Sequence, residues 1–287
     1  MKTKTTSMWH VLAVSALLLG AFGLSQQAVA GIADTKHNLG TTNTEGGNHV
    51  TAGTGEICVF CHTPHAADTS APVPLWNKQL NSAGGYTSYS TLNSSTIDAQ
   101  FATDGAGGES VGSISLACLS CHDGTQAMDN IINAPGSGGY SATGGGANGL
   151  AYTWAGTQVD VNGKMTNAAT TLAMLGTDLS NDHPIGMQYC GGGPTQASPA
   201  TACNDGDFVA PESGTLGADV KLWVDTSVGV DGTREKTDMI LYNRTFAAGV
   251  GPSVECASCH DPHTSAQATF LRVSNTGSGV CLSCHVK

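Results

Sequence analysis

Over most of the chain, apolar residues follow neither a helical period nor a sustained alternation. Two short runs stand out as strands, Val220 to Val224 and Met239 to Tyr242. Thr166 to Leu175, rich in Ala, Leu and Met, predicts a helix. Elsewhere, runs such as Gly136-Ser137-Gly138-Gly139 and Gly144-Gly145-Gly146, spaced by Ser, Thr and Asn, predict loops. The N-terminus differs: Lys2 and Lys4, an apolar run from Val11 to Leu24, then Ala28-Val29-Ala30. That is the layout of a secretory signal over residues 1–30, with Gly31 as the mature N-terminus. Its apolar run is shorter than the roughly 20 residues that span a bilayer. No cysteine lies near the cut, which argues against a lipid anchor, and no later stretch is long and apolar enough to span. The mature protein is expected to have no membrane insertion.

Composition changes the picture next. With 38 glycines, 6% aromatic and 11% charged residues, the chain has little bulky material for a core. It also lacks the charge that keeps a disordered chain solvated. A bound group supplying apolar volume reconciles the two. The net charge of −11 becomes more negative once Lys2 and Lys4 leave with the signal, so nucleic acid is excluded as a partner. Export also places the chain where disulfides persist.

The candidate chemistry is a repeat. Cys-x-x-Cys-His occurs at Cys58, Cys61 and His62; at Cys118, Cys121 and His122; at Cys256, Cys259 and His260; and at Cys281, Cys284 and His285. The first and third copies continue to His65 and His263 through Thr63-Pro64 and Asp261-Pro262, whereas the second and fourth share Cys-Leu-Ser-Cys-His. The order A, B, A, B defines a first dihaem unit at 31–124, a Gly-rich insertion at 125–250 and a second dihaem unit at 251–287. The motif is the attachment signature of c-type haem: two thiols bond the vinyl groups and the next His binds the iron. Zinc would join two cysteine pairs into one tetrahedral centre and leave the trailing histidines without a role. A thioredoxin-like pair needs a single motif beside a βαβ unit. Four covalent haems are expected.

The sixth iron ligand separates electron transfer from catalysis. His37, His49, His65, His183 and His263 are available. Ligands on opposite faces of one haem need Cα atoms roughly 12 Å apart, whereas three extended residues span at most about 10–11 Å. His65 therefore cannot share an iron with His62, nor His263 with His260. The symmetric assignment pairs His65 with His122 and His263 with His285, leaving His37 and His183 for the other two irons. His183, before Pro184, is biased to an extended conformation. His49, beside Gly46 and Gly47, is the spare, and Met187 is an alternative ligand. Histidines suffice for every iron, and no Cys-x-x-Cys-Lys variant occurs, so an electron-transfer protein is expected rather than a multihaem reductase. Cys190 and Cys203 remain for a disulfide across a Gly- and Pro-rich loop, contributing about 3 kcal/mol and pinning the insertion near His183. Asn204-Asp205-Gly206-Asp207 lacks the EF-hand spacing and reads as a solvated turn.

The chain resembles exported multihaem c-type cytochromes, and among them the tetrahaem outer-surface cytochromes of metal-reducing bacteria that polymerise into filaments. The residues carrying this are 31–39, 57–65 with Pro74-Leu75-Trp76-Asn77, 116–124, 182–186, 254–263 and 281–285. The resemblance implies a loop-dominated multihaem cytochrome c fold, with few short helices and strands wrapped around four stacked haems. It implies two His ligands per haem and a homopolymer of identical subunits at the cell surface, passing electrons to other redox cytochromes and extracellular acceptors. A monomeric periplasmic shuttle is the alternative. A ligand borrowed between subunits would lock such a polymer; His37, close to the mature end, is the candidate, with His49 in reserve.

Overall fold

In a computed structural model of the chain, the two strand signals become the centre of one antiparallel sheet. The structure describes residues 31–286 except 72, 82–84, 93, 95–96, 98, 103–110, 137, 145–148, 168–171, 228 and 230. Residues 1–30, where a secretory signal is expected, lie outside the described residues.

A small sheet pairs β1 (His49–Ala52) with β2 (Thr153–Ala155). The main sheet comprises β3 (Met187–Gln188), β4 (Glu212–Leu216), β5 (Asp219–Val224), β6 (Met239–Phe246) and β7 (Gly249–Val254), in the order β3-β7-β6-β5-β4. Leu222 pairs with Leu241 and Val224 with Met239. Strand alternation sends these four side chains to one face, where they form a core with Tyr189 and Cys190; Cys259 and Cys284 pack against it. The sheet is thus the floor of the third and fourth motifs. A second core, Leu39, Val50, Phe60, Met128 and Met165, receives Cys61 and Cys121 of the first and second motifs.

The helices are few and short: α1 (Ser113–His122), α2 (Cys256–Cys259) and α3 (Gly279–Cys284), with Cys58–Phe60 a single 3₁₀ turn. Each of α1, α2 and α3 holds a Cys-x-x-Cys pair, and three-residue spacing puts both sulfurs on one helical face. Gly124, at φ +72, follows the end of α1; a Cβ there would come within 2.7 Å of Met174 and 2.9 Å of the Met165 carbonyl.

The expected helix at Thr166 to Leu175 is corrected in its described part. Thr166 N–H bonds the Gln158 carbonyl and Leu175 N–H the His122 carbonyl, so loop contacts take those amides; 168–171 lie outside the described residues. Cys190 and Cys203 are joined as a disulfide. Among the described residues no helix is long and apolar enough to cross a membrane.

Candidate haem sites

The first and third motifs carry the same set of bonds to a returning segment. At the first, Asn77 N–H donates to the Cys61 carbonyl (2.8 Å), Trp76 bridges His62, and His62 Nδ1–H donates to the Pro74 carbonyl (2.7 Å). At the third, Arg272 N–H donates to the Cys259 carbonyl (2.9 Å), Leu271 bridges His260, and His260 Nδ1–H donates to the Thr269 carbonyl (2.8 Å). Leu75 and Phe270, each following the residue whose carbonyl takes the ring proton, have φ of 57° and 61°. Non-glycine residues persist in that region only where surrounding contacts impose it.

The fourth motif repeats two of these bonds. Val209 N–H donates to the Cys284 carbonyl (2.9 Å), and Phe208 bridges His285 and packs its ring 4.5 Å away. The Cys190–Cys203 disulfide leads directly into this segment: Asp205 N–H bonds the Cys190 carbonyl, and the Tyr189 hydroxyl bonds the Val209 carbonyl (2.9 Å). The disulfide therefore braces the support of the fourth motif. At the second motif, His122 Nδ1–H donates to the Ala173 carbonyl (2.6 Å).

These bonds select a tautomer. A carbonyl only accepts, so Nδ1 carries a proton, which leaves Nε2 as the nitrogen a metal would take. His37 is held likewise, with Nδ1 3.1 Å from the Pro262 carbonyl and its ring stacked on Phe270 at 4.2 Å. Burial, and then the charge of His122, lower its pKa to about 4, so the ring is neutral at pH 7.

Two pairs of imidazoles stand at the separation an intervening iron requires. His62 and His263 have ring centroids 6.2 Å apart, and so do His37 and His122. Two metal–nitrogen bonds of about 2 Å, plus two ring half-widths of about 1.1 Å, come to roughly that distance. The symmetric assignment is thereby corrected. The ring facing His122 is His37 rather than His65, and the ring facing His62 is His263, which had been assigned to His285. His37, the candidate for loan to a neighbour, folds back onto its own chain. His65 and His183 are exposed and His49 half-buried; His49 and His183 direct Nδ1 to the Gly47 and Pro184 carbonyls. Among the described residues no second imidazole stands opposite His260. Met187 is a β3 residue paired with Val254.

The cause of this crosswise pairing is the docking of α1 against α2 through Glu255, a residue that sequence reasoning passed over. Its carboxylate takes Arg244 Nη1 from β6 (2.7 Å), the Ser115 hydroxyl from α1 and the Ser253 hydroxyl from β7 (3.2 Å). Ser115 Oγ also accepts Cys256 N–H (3.1 Å). Burial raises the Glu255 pKa against the pull of Arg244. The joint brings the Cys118 and Cys256 thiols close together and carries the 261–270 turn onto the first unit, where Pro262 and Phe270 contact His37 and His263 stands opposite His62.

These residues fit c-type haem. Three of the four cysteine pairs share a helical face, the rings of His62, His122 and His260 are oriented by carbonyls, and the Trp76 indole N–H beside His62 is buried without an acceptor, a donor that an acid-bearing group could use. No curated protein matches the chain. Residues 250–287, with the third and fourth motifs, match the doubled CXXCH motif family. CXXCH motifs indicate covalently bound c-type haem, and the pairing of such motifs suggests a multihaem c-type cytochrome, with electron transfer as its activity.

Proposed function

We propose that the mature chain carries four bis-His c-type haems and passes electrons between them as the subunit of an extracellular filament. The observation that carries the haem part is the pair of 6.2 Å imidazole separations, His62 with His263 and His37 with His122. Two histidines on an iron fill its coordination sphere and leave redox chemistry rather than substrate binding. Attachment cysteines of successive motifs also lie in sequence: Cys61 with Cys121, Cys118 with Cys256, Cys259 with Cys284. Haems bonded to them would follow one another along the molecule.

The filament part rests on the resemblance to the outer-surface cytochrome OmcE and on the internal repeat. Within one chain, the His after the third motif reaches back to the iron of the first. The equivalent His after the first motif, His65, is exposed. Donated to the His260 iron of a second copy, it would repeat the same junction between subunits and extend the haem row without end. The test is electron microscopy of protein sheared from cells, wild type against His65→Met. Wild-type filaments with haem density, lost in the variant together with one high-spin haem per soluble monomer, are expected. Wild-type monomers alone favour the periplasmic shuttle, and normal variant filaments rule out His65 as the link.

A further inference from the structure

Lys78 is 0% exposed, and its Nζ bonds the carbonyls of Ala127 (2.9 Å), Met128 (3.2 Å) and Asn130 (3.2 Å). All three partners are acceptors, so the nitrogen supplies three protons and is an ammonium ion. Among the described residues no carboxylate forms an ion pair with it. A buried charge without a counter-ion is costly, and burial commonly requires pairing. Asp129 lies near the cage, and its carboxyl pKa is raised by burial against the lowering pull of Lys78; its Oδ1 has no hydrogen-bond partner.

The position of this cation is specific. Lys78 directly follows Trp76 and Asn77, which hold the first motif through His62 and Cys61. Its carbonyl cage includes Met128, in the core against which Cys61 and Cys121 pack. At the third motif the residue aligned with Asn77 is Arg272, a cation of another kind: half-buried, its guanidinium bonds the Ala257 and Lys236 carbonyls. Solvent screens such a charge, whereas low surrounding dielectric strengthens the field of Lys78.

We infer that Lys78 is a redox-tuning residue: its fixed buried charge raises the reduction potential of the haem on Cys58 and Cys61 above that of the haem on Cys256 and Cys259. This rests on the haem reading above. Reduction adds an electron to the iron, and a neighbouring cation stabilises that form. The first haem thus takes its electron before the third, giving the chain a direction set by one side chain.

The test is a redox titration of the haem-loaded protein, followed optically and by NMR with each haem assigned. Denaturing mass first counts the haems, so a wild-type chain without them defeats the haem reading rather than the role of Lys78. In Lys78→Met carrying the wild-type number of haems, the midpoint of the first haem is expected to fall while the others stay. Arg272→Gln is expected to lower the third by less. An unmoved first midpoint would overturn the inference. Should Lys78→Met fail to load, the wild-type order of reduction decides: first haem before third supports the inference, and the reverse overturns it.

Discussion

The first dihaem unit and the second hold their A-type motifs with the same bonds but prop them up with different chemistry. Around the first motif, buried polar bonds supplement a small apolar core: Asn77 bonds the Val59 and Asn133 carbonyls, and Lys78 gathers three more. Around the third and fourth, it is a five-stranded sheet with an apolar face and a disulfide-braced segment. A short segment without a core of its own needs one scheme or the other. The difference teaches that the haem motif sets the local bonds, whereas the origin of the backing is free to vary. It also locates the weak points: in the first unit single buried polar side chains tie the returning segment to a small apolar core, whereas in the second the backing is an element that folds as a sheet.

The largest expected effect lies at the joint between the units. Glu255→Ala removes the buried carboxylate that Arg244, Ser115 and Ser253 share and undoes the docking of α1 on α2, costing about 3–5 kcal/mol. Chemical denaturation measures this. A loss under about 1 kcal/mol would mean that the units are joined elsewhere and would break the comparison. Next comes the disulfide. Replacing Cys190 and Cys203 by Ser is expected to cost about 3 kcal/mol and to perturb the spectrum of the fourth haem, whose support is residues 207–209, while leaving the first unit unchanged. A change confined to the first unit would reverse the assignment of supports.

Much of this was legible in the sequence. The Cys-x-x-Cys-His motifs stand in the sequence itself, the Cys190–Cys203 bond follows from the two cysteines left over, and β5 and β6 from apolar runs. What was not legible depends on long-range docking. Whether His263 faces His62 or His285 is decided by Glu255 binding Ser115, 140 residues away. The returning segments 74–77, 207–209 and 269–272 share bonds but not sequence, since their contacts use backbone amides and carbonyls. Pro74 to Asn77 was noticed only through resemblance. Nothing in the sequence around Lys78 announces a cage built from residues 127–130.

Intact mass of the exported protein under denaturing conditions tests the account most directly. A chain beginning at Gly31 and retaining four haem increments, with the bonds mapped to the four cysteine pairs, is the predicted result; fewer than four, or zinc in their place, would contradict it.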